Sequence, residues 1–303
     1  MVESIEEQKE RAEAEFDQGN YRQAAELFAV VYQEEQSLAL NRQLVLALQA
    51  DEQYQLAREY ASDFLSDYAQ HENLFLLYFN LLLQTQNFVF AQQWAMQRQG
   101  ERDREELLED IRAKEKQAED QQSQTLKTIA QQFYHLSDEN LSAQQERYQQ
   151  AFHLPVATFI TGAKFLLVDP FSTPLMRATL LADLQQLAVK EAVQYQWLDG
   201  QRYQVNLTEL ATAFADDRFV AMMAALDEQV GQEDPVAYQA LFDQIRLETM
   251  LIFPRLAESV VDPVAWIEAD VAAFYQEDAV TESAEQQAIH GQVHQALLQL
   301  GVE

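Results

Sequence analysis

Apolar residues recur along most of the chain at intervals of three and four positions, the spacing that places them on one face of an α-helix. In the carboxyl-terminal part, Asp234-Pro235 and Asp262-Pro263 each combine a capping aspartate with a first-turn proline, which indicates the start of a helix. The helices predicted there are 216–230, 234–253, 262–275 and 283–300. The 303 residues include only 7 Gly and 6 Pro, too few for an all-β fold or for a doubly wound α/β enzyme with glycine-rich loops. We therefore predict an all-α protein.

Residues 193–205 depart from this pattern, because apolar and polar residues alternate there. A two-residue Asp-Gly turn would put the apolar residues of the two strands on opposite faces. A three-residue loop, Leu198-Asp199-Gly200, instead pairs Val193 with Val205 and Tyr195 with Tyr203. We predict one small β-hairpin with this register, whose aromatic face packs on neighbouring helices or forms an edge for a partner.

The first hundred residues contain a repeat. An aromatic residue followed three positions later by alanine occurs three times, with spacings of 33 and 34, at Tyr21/Ala24, Tyr54/Ala57 and Phe88/Ala91. An aromatic side chain at the start of the second helix of a hairpin fills the gap between the paired helices, and alanine lets their backbones approach. Three unrelated amphipathic hairpins are the alternative explanation.

Residues 3–99 thus resemble the tetratricopeptide repeat (TPR) family, in which helix–turn–helix units of 34 residues stack into a right-handed superhelix. The first helix of the first unit is polar, as suits an end cap. Residues 174–181 resemble a segment of uncharacterised bacterial proteins that join TPR units to a carboxyl-terminal domain of unknown function. The resemblance implies a TPR-like solenoid of helical hairpins in the amino-terminal third.

In TPR proteins the first helices of successive units line a concave groove that binds an extended peptide or a partner helix. Carried over by register, the resemblance implies a peptide groove lined by Lys9, Glu13, Arg42, Leu46, Asn73, Leu76, Asn80 and Leu83. Chaperone-binding members need amide or basic groups where Glu13 and Leu46 stand, so a clamp for a terminal carboxylate is not predicted. Asn80 can both donate to and accept from a peptide backbone; a polar groove edge without a ligand is the alternative.

Three domains are predicted from these patterns: three helical hairpins in 1–99, a charged helical connector in 100–127, and a helical carboxyl-terminal domain in 128–303 that carries the hairpin at 193–205. The connector has one short apolar stripe, Leu107, Leu108 and Ile111. Beyond Ile111 the positions that would continue this stripe lack large apolar residues, which a coiled coil requires. We therefore predict a partly solvated spacer helix.

The net charge of the chain restricts the kinds of partner that it can bind. The chain has 20 Lys and Arg against 50 Asp and Glu, a formal net charge of −30, which repels nucleic-acid phosphates and anionic membranes. A basic protein or peptide is the natural counterpart, unless the charge serves solubility alone. With neither a secretory leader nor an apolar run of about 20 residues, we expect a cytoplasmic protein.

Candidate chemistry is sparse. The chain has no Cys, and no phosphate loop, dinucleotide fingerprint or nucleophile elbow is found. His290 and His294 share a helical face at a metal-binding spacing, but Gly291 stands where zinc proteases carry Glu. We predict an incidental surface pair, no catalytic residue, no metal and no other cofactor. The predicted function is a non-enzymatic protein- or peptide-binding scaffold; the alternatives are a homodimer assembled through the apolar third repeat and, third, a hydrolase or metal enzyme.

Overall fold

The computed structural model describes residues 4–231, 233–277, 282–299 and 301. These residues form 16 α-helices and a single two-stranded antiparallel sheet, which confirms the mostly helical fold with one small β-hairpin. None of the described helices combines the length and the apolar character needed to cross a membrane. Residues 1–3, Leu300 and Glu303, which fall within the predicted domains, lie outside the described residues.

The chain divides by its contacts into two compact units. Unit 1 comprises residues up to Lys127 together with Phe152–Val156, and unit 2 comprises Thr128–Ala151 together with the residues from Ala157 onward. Both units are therefore discontinuous in sequence. The three-part division proposed from the sequence stays a prediction.

Unit 1 is built from consecutive helices joined by short connections, and each of the first six packs on the next one in the chain. The helices are α1 (Ile5–Asp17), α2 (Tyr21–Glu34), α3 (Leu38–Ala50), α4 (Tyr54–Ser62), α5 (Leu65–Gln70), α6 (Glu72–Gln84), α7 (Phe88–Met96) and most of α8 (Glu101–Tyr134). The three recurring aromatic residues each begin a helix: α2, α4 and α7. The three alanines that follow them are fully buried.

The same turn occurs after α1, α3 and α6. Each turn contains one residue with a left-handed backbone, Gly19 (φ 82°), Glu52 (φ 60°) and Gln86 (φ 53°). In each turn the next residue also donates its N–H to a carbonyl five positions back, as Asn20 does to Glu15, Gln53 to Leu48 and Asn87 to Leu82. A left-handed φ costs about 1–2 kcal/mol for a residue other than glycine. The surrounding structure must therefore stabilise this conformation at Glu52 and Gln86. The repeat in sequence is thus matched by a repeat in backbone geometry.

A buried polar network fixes α3 within unit 1. The Asn41 side chain donates to the backbone oxygen of Tyr60 (2.7 Å) and accepts from the Tyr68 hydroxyl (3.0 Å). It also lies 3.2 Å from the Tyr32 hydroxyl, which in turn donates to Asp63 (2.8 Å). Because Asn41 is fully buried, each of these bonds offsets a desolvation cost.

Unit 2 contains the end of α8 and the remaining helices: α9 (Leu141–Ala151), α10 (Val156–Leu166, from Ala157), α11 (Pro174–Gln186), α12 (Asp217–Gln229), α13 (Pro235–Ile252), α14 (Leu256–Ser259), α15 (Pro263–Tyr275) and α16 (Ala284–Gln299). The helix starts predicted from Asp-Pro are confirmed. Asp234 caps α13 by accepting from the Ala237 N–H, and Asp262 caps α15. Both aspartates are therefore structural.

The β-hairpin of unit 2 joins β1 (Val193–Gln196) to β2 (Arg202–Val205). Val193 pairs with Val205 and Tyr195 with Tyr203, which confirms the predicted register and the three-residue loop with Gly200 at φ 76°. Tyr195 and Trp197 are buried, and the Trp197 indole donates to the Ile252 backbone oxygen (3.3 Å). The aromatic face is used for packing within the unit.

Candidate functional site

The predicted groove residues lie on the first helices of the three hairpins: Lys9 and Glu13 on α1, Arg42 and Leu46 on α3, and Asn73, Leu76, Asn80 and Leu83 on α6. Seven of the eight have accessible side chains. Lys9 and Leu46 are half-buried, and the exposed ones are Glu13, Arg42, Asn73, Leu76 and Asn80. Leu83 is instead buried, with 8% of its surface exposed. It belongs to the core and offers a bound peptide almost no surface.

A cleft between α1, α2 and α3 brings two of these residues together. It has a volume of about 300 Å³ and is lined by Glu13, Phe16, Asp17, Phe28, Gln43 and Leu46. The Gln43 amide donates to Glu13 (2.7 Å) and so fixes the carboxylate at the rim. Phe16, Phe28 and Leu46 supply apolar lining beside the two carboxylates. The cleft therefore suits a side chain with an aliphatic stem and a cationic end.

The apolar helix α6 is covered mainly by its own unit. Its buried residues are Leu74, Phe75, Tyr78, Phe79, Leu81, Leu82 and Leu83. The Trp94 indole donates to the Phe75 backbone oxygen (3.2 Å), and the two rings stack at 5.0 Å. Leu76 remains 44% exposed, between the exposed Asn73 and Asn80. A homodimer formed through this helix would have little apolar surface to bury.

A second group of candidate side chains lies in unit 2, and we call it the His–carboxylate cluster: Glu248 on α13, Asp270 on α15, and His290 and His294 on α16. One potential ligand atom from each residue falls within 4.8 Å of all the others. His290 has only 5% of its surface exposed, so the prediction of a surface pair is wrong for this residue. Trp266 covers its ring, stacking at 4.0 Å with 13° between the planes.

Hydrogen bonds hold the members of the cluster in place. His290 Nε2 lies 2.9 Å from Asp270 Oδ1, and His290 Nδ1 lies 3.0 Å from Glu282 Oε2. The Trp266 indole donates to Glu248 Oε2 (2.8 Å). The Gln244 amide donates to Glu248 Oε1, also at 2.8 Å. Each ligand-type side chain but His294 is thereby oriented by a neighbour.

The electrostatics of the cluster follow from burying carboxylates beside imidazoles. Burial, followed by repulsion from Asp270, raises the pKa of Glu248 to about 8. Burial alone lowers the pKa of His290, but the hydrogen bond and the charge of Asp270 raise it to about 9. Burial raises the pKa of Asp270, but the hydrogen bond from His290 and the nearby imidazole of His294 outweigh this effect and lower the pKa. At neutral pH Asp270 is thus the anionic member, with His290 as its cation.

Sequence reasoning found the two histidines of this cluster and missed its two carboxylates. The i, i+4 spacing of the histidines was the only local signal. Glu248 and Asp270 lie on other helices, and nothing in their sequence neighbourhood distinguishes them from the other acidic residues. Two imidazoles and two carboxylates form a donor set able to hold a divalent cation.

Comparison of the chain with protein-family models, with curated proteins and with solved structures found no match. Membership of the TPR family accordingly stays a prediction. The described residues thus offer two candidate sites, the cleft of unit 1 and the His–carboxylate cluster of unit 2.

Proposed function

We propose that this protein is a non-enzymatic, cytoplasmic scaffold that binds an extended segment of another protein on the first-helix face of unit 1. The cleft beside Glu13 and Leu46 is the observation that carries the proposal. It combines apolar lining with fixed carboxylates, the two features that a peptide side chain with an aliphatic stem and a positive end requires.

The recurring turns support a repeat architecture for this unit. Left-handed residues at Gly19, Glu52 and Gln86 follow the same spacing as the aromatic–alanine repeat. Stacked helical repeats build extended surfaces that suit an extended ligand. Beyond the cleft, Asn73 and Asn80 flank the exposed Leu76 on α6 and offer amide groups to a peptide backbone.

The charge of the chain favours a basic partner. A net charge of −30 produces a field that speeds the approach of a cationic peptide and slows that of an anionic one. Screening shortens this field to about 8 Å at physiological ionic strength, so association with a basic partner should slow as salt is added.

The test is to select binding peptides from a random displayed library against the full-length chain and to measure their affinity by fluorescence anisotropy. We expect enriched peptides to carry a lysine or arginine next to aliphatic residues. Glu13→Lys should weaken their binding by at least about tenfold, because it places a positive charge beside the bound cation.

Glu10→Lys is the matched control, since Glu10 is an exposed residue of the same helix that does not line the cleft. It makes the same change of charge and should leave the affinity within about twofold of wild type. Equal losses in the two variants would reduce the effect to net charge and contradict binding in the cleft. Failure to enrich any peptide would contradict the proposed function as a whole.

A further inference from the structure

The peptide binding proposed for unit 1 does not involve the His–carboxylate cluster of unit 2, whose side chains have the composition of a metal site. Four ligand-type residues converge there from three helices, α13, α15 and α16. We propose that Glu248, Asp270, His290 and His294 bind one divalent first-row transition-metal ion, for which Zn²⁺ serves as the test ion.

The distances between the ligand atoms fit such an ion. Zn²⁺ bonds to nitrogen and oxygen at roughly 2.0–2.2 Å, so two ligands of a tetrahedral site lie roughly 3.4 Å apart. His294 Nε2 is 3.5 Å from Asp270 Oδ1 and 3.9 Å from Glu248 Oε1. All four ligand atoms lie within 4.8 Å of one another, so a bound ion would draw the more distant ones closer and separate His290 Nε2 from Asp270 Oδ1, now 2.9 Å apart.

Two buried atoms of the cluster lack a hydrogen-bond partner among the residues that the structure describes, and a cation would supply one. They are Asp270 Oδ2 and His294 Nε2. Asp270 has 1% of its surface exposed, and its other oxygen already accepts from His290. An unsatisfied buried polar atom costs about 1–3 kcal/mol. A bound cation would give both atoms a partner at one point.

The surroundings of the cluster match the outer contacts of metal-binding histidines and carboxylates. A histidine ligand usually donates its second N–H to a carboxylate, and its other nitrogen coordinates the ion after releasing its proton to solvent. Glu282 provides that carboxylate for His290 Nδ1 (3.0 Å). Trp266 and Gln244 donate to Glu248 and so orient its carboxylate. The ring stacking of Trp266 fixes the plane of the His290 imidazole.

The donor set selects the class of ion. Two imidazoles favour Zn²⁺, Fe²⁺, Co²⁺ or Ni²⁺ over Mg²⁺ and Ca²⁺, which prefer all-oxygen sites. Among the ion pairs of the described residues, Glu248, Asp270 and Glu282 face only histidines. A divalent cation therefore supplies positive charge that the surrounding side chains supply only in part. His294, whose side chain is 43% exposed, leaves a route for the ion from solvent.

The experiment uses the full-length chain, produced without a histidine tag and stripped of metal with a chelator. Zn²⁺ is titrated in a calorimeter, and the metal retained after gel filtration is counted by mass spectrometry. We expect one Zn²⁺ per chain. His294→Gln should weaken binding by more than about 100-fold, because it removes a ligand outright, whereas loss of an outer contact costs about 10–100-fold. His135→Gln, which changes an exposed histidine of the same unit, is the matched control and should bind as wild type does.

A second variant and a spectroscopic measurement guard against misfolding. Asp270→Asn preserves the shape of the side chain and should also lose the site, while circular dichroism reports whether each variant is folded. Co²⁺ added to the wild type should produce visible absorption bands that one equivalent of Zn²⁺ abolishes. The proposal is overturned if the wild type shows neither saturable Zn²⁺ binding nor these bands. It is equally overturned if both variants retain the wild-type affinity, since binding would then occur on surface carboxylates only. Neither result would affect the peptide-binding proposal, which concerns unit 1.

Discussion

Gly162, in the interior of α10, offers a sharp test of the packing in unit 2. A Cβ atom added there would lie 2.6 Å from Cδ1 and 2.8 Å from Cε1 of Phe133. Two carbon atoms prefer a separation of about 3.5–4.0 Å, so the ring would have to move by about 1 Å. Phe133 is fully buried and stacks on Phe159 with centroids 5.1 Å apart, which leaves it little room.

Two effects of opposite sign decide the outcome of Gly162→Ala. Alanine stabilises a helix interior by about 1 kcal/mol relative to glycine. Overpacking a rigid core costs about 1–3 kcal/mol. We therefore expect a net change between neutral and a destabilisation of about 2 kcal/mol.

Gly291→Ala is the control that isolates the clash. Gly291 also lies inside a helix, α16, but apart from its chain neighbours and the adjacent backbone of α16 no atom of the described residues lies within 4 Å of its added Cβ. This variant should gain the full helix term of about 1 kcal/mol. The two variants should thus differ by about 1–3 kcal/mol in calorimetric unfolding, which is the cost of the clash alone. Equal shifts in melting temperature would refute the close approach of α10 to Phe133.

Two further predictions concern unit 1. Ala57→Leu should lower the free energy of unfolding by about 1–3 kcal/mol, because Ala57 is fully buried in α4 and a larger side chain would overpack its site. An unchanged denaturation midpoint would contradict the helix register proposed for the repeats. His153 donates its Nδ1–H to the Gln86 backbone oxygen (3.0 Å), and burial lowers the pKa of this histidine below the usual 6.5. As pH falls below about 6.5, the unfolded chain therefore binds a proton at this histidine before the folded chain does. The free energy of unfolding consequently decreases as pH falls from 6.5 toward the lowered pKa of the folded state. His153→Gln should lose less stability than the wild type between neutral and mildly acidic pH in urea titrations, and equal losses would contradict this assignment.

Features set by neighbouring residues could be predicted from the sequence. The hairpin register follows from the alternation in 193–205 and from a glycine at the one loop position that needs a left-handed backbone. The capping roles of Asp234 and Asp262 likewise depend on contacts within three residues. In such cases the interacting groups are adjacent in the chain, so their chemistry can be inferred before the fold is known.

Features that depend on packing between distant helices could not be predicted. Asp270 lies 20 residues before His290 on another helix, and the chain offers 50 acidic residues from which to choose. The burial of His290 results from the ring of Trp266, which only the fold brings above it. On α6, where nearly every position is apolar, periodicity could not show that Leu76 faces solvent and Leu83 the core.

The discontinuity of unit 1 has a consequence for how the protein is made. The Val89 N–H bonds to the Phe152 carbonyl (3.2 Å), and the carboxylate of Glu115 accepts from the Val156 N–H (2.7 Å). Phe152 and Val156 are synthesised about 25–29 residues after Lys127, where the first stretch of the unit ends. At roughly 5–20 residues per second, the helices made earlier lack this segment for roughly 1–6 s. A gene fragment ending at Lys127 would encode a unit that never receives this segment.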